Sequence, residues 1–386
     1  MKVKIFSLIT KNILMVCILF NLMVLIGLEV GFGINQRSVY RNITSTLFYI
    51  LGPITFFLII SCKFLKFKKS AYGLFLFYSM YCILFTVLYH KLSILHILRL
   101  FGILFPFCFC IFLHQINESN TLIKTVNFTF FLCCIFSLVQ ICLSKSTHIG
   151  RNNGVFQGYN SLAIFVITYY FVTEEKIKKI LSIIMLIFCK SASITILFFL
   201  MLVSEKKINK KIIVIILLIL IVFFYYSFMF KEIESDPLHK ILILLKHNDI
   251  YDYNYWRYLS TIENSNQIDG IDNSLISGLN RVVQICRIIF SSNSFKEFLI
   301  GNDKPFIAEG TFGTVYLHFG LIGLIPLIIL YFKYYYFGRQ SLYIFLFSLF
   351  VLPLISFQFS GVFVTINMFL LKEKYEKNIN RFQTSK

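Results

Sequence analysis

Twelve apolar runs decide what this chain can become. They fall near 12–32, 45–62, 71–89, 92–113, 125–144, 158–173, 178–190, 191–203, 212–230, 312–332, 340–356 and 358–371. About 20 apolar residues in α-helix cross a hydrocarbon layer, and inside lipid a helix satisfies its own backbone. Most of the runs have that length; the seventh, eighth and twelfth are short. A soluble chain of 386 residues would make two or three domains, but composition overrules that. Apolar residues reach 58% and charged ones only 14%, against roughly 25% charged in soluble domains. The implied fold class is all-α: a polytopic integral membrane protein of about 12 transmembrane helices with one large extracytoplasmic loop. Met1-Lys2-Val3-Lys4 ahead of an apolar run looks like a signal peptide. The run continues to Val30, however, so an uncleaved first helix is expected.

Charge orients the runs. The formal balance is +19, yet the basic residues sit in short clusters between apolar runs. That is the pattern of cytoplasmic loops, not of a nucleic-acid surface. With the N-terminus inside, the inner segments hold 22 lysines and arginines. The short outer segments hold six: Arg37, Arg41, Lys91, Lys145, Arg151 and Lys190. Both termini are then cytoplasmic, and the expected location is the cytoplasmic membrane. Nine of the ten cysteines lie in or beside apolar runs, as buried small hydrophobes rather than a disulfide framework.

Four segments follow: helices 1–9 over 1–230, a partly helical outer loop over 231–310, helices 10–12 over 311–371, and a basic cytoplasmic tail over 372–386. The loop is the one long stretch that water would solvate. It holds 11 of the 18 acidic residues, a net charge of −3, and the single tryptophan, Trp256. Pro237 to His247 reads as a helix lying on the membrane surface. The aromatic and polar run Asp249 to Arg257 suits either sugar stacking or an interfacial belt. Leu279 to Ile300 reads as a second helix, ended by Gly301-Asn302-Asp303.

Soluble-enzyme signatures are missing: there is no P-loop, nucleophile elbow, dinucleotide fingerprint or zinc helix. The seven histidines are scattered, so no metal or other cofactor is expected. What draws attention is cations on the outer side: Arg151 within Gly150-Arg-Asn-Asn-Gly-Val-Phe-Gln-Gly-Tyr-Asn160, Lys190 ahead of Ser191-Ala-Ser193, and Arg281 and Arg287 in the large loop. Converging guanidinium and ammonium groups suit a diphosphate. The competing reading is loop charges held in salt bridges. Arg99 lies inside the fourth run, where a charge is costly and faces protein interior or an interface.

Three stretches resemble the O-antigen polymerase and O-antigen ligase superfamily. Arg151-Asn-Asn-Gly154-Val-Phe156 followed by Tyr159-Asn160 resembles its Arg-x-x-Gly-x-Phe then Pro-Asn. Lys190-Ser191-Ala192-Ser193 resembles its small-residue motif. Glu309-Gly-Thr311 followed by Leu317-His-Phe-Gly320-Leu-Ile-Gly323 resembles the segment closing the large outer loop, where ligases carry His-Asn and then Gly-x-x-Gly. The resemblance implies transfer of a growing glycan from undecaprenyl diphosphate onto the next lipid-linked repeat unit. Arg151, Arg281, Arg287 and Lys190 would hold the diphosphate, and Asn160 and Trp256 would contact substrate. Glu309, standing where ligases have histidine, would take the acceptor proton and favours polymerase over ligase. Expected partners are the lipid-linked oligosaccharide, membrane lipid and a chain-length regulator, with no nucleic acid. A repeat-unit flippase and a ligase are the alternatives.

Overall fold

The structure is a computed structural model that describes residues 2–29, 69–88, 104–116, 118–143, 154–156, 159–189, 191–205, 288, 294–301, 311–350 and 360–384. Among these residues helix is the only regular structure. In chain order the helices are α1 (Lys2–Glu29), α2 (Lys69–Leu88), α3 (Leu104–Ile116), α4 (Ser119–Leu143), α5 (Tyr159–Val172), α6 (Lys176–Cys189), α7 (Ala192–Ser204), α8 (Phe295–Ile300), α9 (Thr311–Tyr335), α10 (Arg339–Phe350) and α11 (Ser360–Thr384). Two described segments are long and apolar enough to cross a membrane, Ser119–Cys142 in α4 and Phe312–Tyr335 in α9. The short seventh and eighth runs correspond to two separate helices. α6 has 14 residues and α7 has 13, so each reaches only about 20 Å, less than the roughly 30 Å of a hydrocarbon core.

The chain divides into two units: Met1–Ile194 with Ile325–Ser341 and Pro353–Lys386, and Thr195–Leu324 with Leu342–Leu352. At the centre of the first lie α3, α5 and the apolar part of α11. Phe107, Cys108, Phe109, Cys110, Phe112 and Leu113 of α3 are all fully buried, and a helix apolar all round belongs in an interior. In α5 the same holds from Ser161 to Tyr169, and in α11 from Gly361 to Leu371. One polar cluster crosses this core. Asn367 Nδ2 donates to Thr168 Oγ1 at 3.0 Å and to the Phe165 carbonyl at 3.3 Å.

The surrounding helices are apolar on both sides. In α2, Ala71, Phe75, Tyr78, Cys82 and Thr86 form one buried stripe. Tyr72, Leu76, Phe77, Met80, Ile83 and Leu84 are exposed on the other face. In α4, Phe128, Phe131 and Leu138 are more than half exposed. Contiguous exposed apolar faces of this kind are unusual next to water. Six of the eight described cysteines are buried: Cys17, Cys82, Cys108, Cys110, Cys133 and Cys189.

Polar contacts collect at one end of this unit. The Ser119 hydroxyl donates to Glu373 at 2.9 Å, Lys374 lies 3.3 Å from Glu174, and the Lys372 ammonium donates to the Lys333 carbonyl at 2.8 Å. The start of α4, the turn after α5 and the end of α9 thus meet α11 here. α11 runs without a break to Thr384, so the segment expected as a tail continues as helix well beyond the apolar run that ends at Leu371.

In the second unit two backbones cross closely. α9 breaks at Gly320, whose φ of 57° and ψ of −159° are not helical. A Cβ on Gly320 would stand 2.4 Å from the Leu299 carbonyl, and one on Gly301 would stand 2.3 Å from the His318 carbonyl oxygen. The end of α8 therefore lies directly on the broken turn of α9. The expectation of one helix over 279–300 needs correction. Ser294 is extended, with φ −141° and ψ 156°, and its hydroxyl accepts from the Glu297 N–H at 3.2 Å. This is an N-cap, so a helix begins at Phe295 and not before Ser294; its end at Gly301 agrees with the sequence reading.

Candidate functional site

The end of the first unit opposite those ion pairs holds two of the three motifs. α4 finishes there and α5 begins there, and between them Gly154-Val155-Phe156 turns back into the helices. Gly154 has a φ of +55°, which an L side chain rarely adopts, and a Cβ there would press on Leu162 at 3.0 Å. Phe156, 1% exposed, wedges edge-on against Phe165, with ring centres 5.2 Å apart, and tilts against Phe363. The glycine makes the turn and the phenylalanine plugs it into the core. That is a physical reason for the spacing Gly-x-Phe.

A residue outside the motif fastens the turn. Gln140, near the end of α4, accepts from the Gly154 N–H and donates to the Gly154 carbonyl, both at 3.1 Å. Its amide pairs with that peptide as a neighbouring strand would, so a buried backbone donor and acceptor are both satisfied. Nothing in the spacing of the sequence marks Gln140. The signal available was its amide at the end of an apolar run, opposite a glycine loop.

The second connection joins the motifs themselves. The Ser191 hydroxyl, 2% exposed, donates to Asn160 Oδ1 at 2.8 Å. Asn160 is in the first turn of α5, and Ser191 directly precedes α7. Two helix N-termini therefore meet at this bond. The first-turn N–H groups of a helix lack intrahelical partners, and helix starts carry partial positive charge. An anion is the chemistry such a junction favours.

Of the site residues expected from sequence, Asn160 is placed here. Arg151 and Lys190 lie outside the described residues, three positions before Gly154 and one before Ser191 in the chain. Arg281, Arg287, Trp256 and Glu309 also lie outside them, as does Arg99. His318, the histidine nearest the ligase-type position, lies in α9 and is 2% exposed, with the backbone of Gly301 against its carbonyl. No group of three or more metal-ligating side chains occurs among the described residues. No family model matches the chain, and neither a curated protein nor a solved structure does.

Proposed function

We propose that this chain is a multi-span glycosyltransferase of the cytoplasmic membrane. It joins undecaprenyl-diphosphate-linked repeat units into a surface polysaccharide, O-antigen or capsule, on the outer face. The observation that carries the reading is the Asn160–Ser191 hydrogen bond. It draws together two residues 31 positions apart, at a junction of two helix starts, and each belongs to a sequence stretch that also contains a cation, Arg151 or Lys190. A leaving diphosphate needs that combination of arginine, lysine and backbone N–H donors. The apolar outer faces of α2 and α4 support a lipid surround. In this reading Arg151, Lys190, Arg281 and Arg287 neutralise the diphosphate. Glu309 accepts the proton of the attacking hydroxyl as the glycosidic bond forms and the carrier diphosphate leaves. Trp256 offers a stacking face to sugar.

Deletion of the gene is expected to leave single repeat units on the lipid acceptor and no long chains, read on a polysaccharide gel. Loss of all attached glycan would instead identify a flippase or a ligase. Arg151→Ala and Arg287→Ala should each abolish chain extension while alanine at inner-loop lysines does not. Glu309→Gln should slow extension by about 10²–10⁴-fold. Full-length glycan in the Arg151→Ala strain would remove that residue from the site.

A further inference from the structure

A cavity of about 440 Å³ opens between the first turns of α4, the end of α5 and the middle of α11. It lies within the range of about 300–1,000 Å³ that small-molecule sites occupy. None of the residues assigned to glycan transfer lines it. It belongs to the ion-paired end of the first unit, away from Asn160 and Ser191. Its apolar lining comes from Ile123, Val126, Val172 and Leu370. Its rim carries both signs: Glu174, Glu175 and Glu373 against Lys374 and Lys377. Glu174 is 83% exposed and Lys374 42% exposed, so the pair they form is loosely held, worth about 0–1 kcal/mol, and free to exchange partners with a ligand.

Tyr169 and Asn127 also line it. The Tyr169 hydroxyl donates to Asn127 Oδ1 at 2.6 Å. With that oxygen engaged, Asn127 has its amide N–H groups to offer, and these suit an incoming carbonyl. The cavity therefore presents apolar surface, amide donors, and ammonium and carboxylate groups together. A soluble anion would match only one of these kinds of group, whereas an amphiphile with a zwitterionic head matches all of them.

We propose that this cavity binds the headgroup of a phosphatidylethanolamine from the surrounding leaflet. Lys374 and Lys377 face its phosphate, and Glu174 and Glu373 accept from its primary ammonium. Asn127 donates to an ester carbonyl, and the first methylenes lie on Ile123 and Leu370. Three rim carboxylates disfavour phosphatidylglycerol, which has no ammonium to meet them. Phosphatidylcholine has the charge, but its quaternary nitrogen has no N–H to donate. The inference rests on the proposed function only in needing the chain in a membrane with this end at the polar interface.

The test is native mass spectrometry of the full chain. It is reconstituted in vesicles of equal phosphatidylethanolamine, phosphatidylglycerol and phosphatidylcholine with matched acyl chains, then extracted into mild detergent. One phosphatidylethanolamine per chain is expected, in about tenfold excess over either competitor. The double variant Glu373→Gln, Lys374→Gln should lower that retention about tenfold. Ile123→Trp fills the apolar wall without changing charge and should do the same. Equal retention of the three lipids, or unchanged retention in both variants, overturns the proposal. Displacement by soluble phosphoethanolamine overturns it in favour of a soluble zwitterion. Fractionation of the same cells separates the two levels. A chain found with membranes that retains no phosphatidylethanolamine refutes this site alone, whereas a chain absent from membranes refutes the functional reading beneath it.

Discussion

At Gly154 the backbone adopts a φ of +55°, and its N–H and carbonyl are both taken by one side chain, that of Gln140. The two residues hold the same turn by different means, and substitutions separate them. Gly154→Ala forces a left-handed conformation costing about 1–2 kcal/mol, and adds a methyl against Leu162. Gln140→Ala removes both of its bonds to the Gly154 backbone, at about 1–3 kcal/mol. Both should lower the melting temperature of the detergent-solubilised chain and shorten the polymer in cells. Unchanged melting in both would mean that the turn is not fastened as described. Of this site, glycine, phenylalanine and Asn160 were legible in the sequence, because a turn, a plug and a first-turn amide each demand a residue type. Gln140 was not, since no spacing rule links a helical glutamine to a loop 14 residues on.

Among elements, hydropathy locates the helices better than it bounds them. The run 125–144 lies within α4 save for its last residue, and 312–332 lies within α9. The run 358–371 falls short of α11, which extends to Thr384. Hydropathy reports where lipid would touch a helix; hydrogen bonding, which needs no lipid, sets where it stops. The break at Gly320 was hidden for a related reason: an apolar helix interrupted for one residue is still an apolar run. The start at Phe295 had a written signal in Ser294-Phe-Lys-Glu297, a capping box. Glycine substitutions probe these crossings. Gly301→Ala and Gly320→Ala each place a methyl within 2.4 Å of backbone and should cost about 1–3 kcal/mol in melting experiments. Gly73→Ala, with nothing within 4 Å of the new Cβ, should gain about 0.5–1 kcal/mol from the α2 interior. Equal melting of all three variants would show that the close crossing is not there.

For the molecule as a whole, the charge pattern makes a statement about sidedness that labelling can check. Cys142 is exposed near the end of α4, beside the motif of Arg151. Asn378 is exposed on α11, beside the ion pairs. In a chain keeping Cys142 alone among its cysteines, a membrane-impermeant maleimide added to intact spheroplasts should react. In a cysteine-free chain carrying Asn378→Cys it should react only after permeabilisation. The opposite result would invert the topology and put the proposed transfer site on the wrong side of the membrane for its substrate.

The Asn367–Thr168 bond joins residues 199 positions apart. A ribosome adding about 5–20 residues per second takes roughly 10–40 s to go from one to the other. Through that interval α5 is made, its Thr168 hydroxyl donating to the carbonyls of Ile164 and Phe165, while the amide that donates to that hydroxyl does not yet exist. The core of the first unit is thus sealed only when α11 emerges. A nascent chain stalled before it exposes an unfinished surface, through which quality-control proteases can tell an incomplete protein from a complete one.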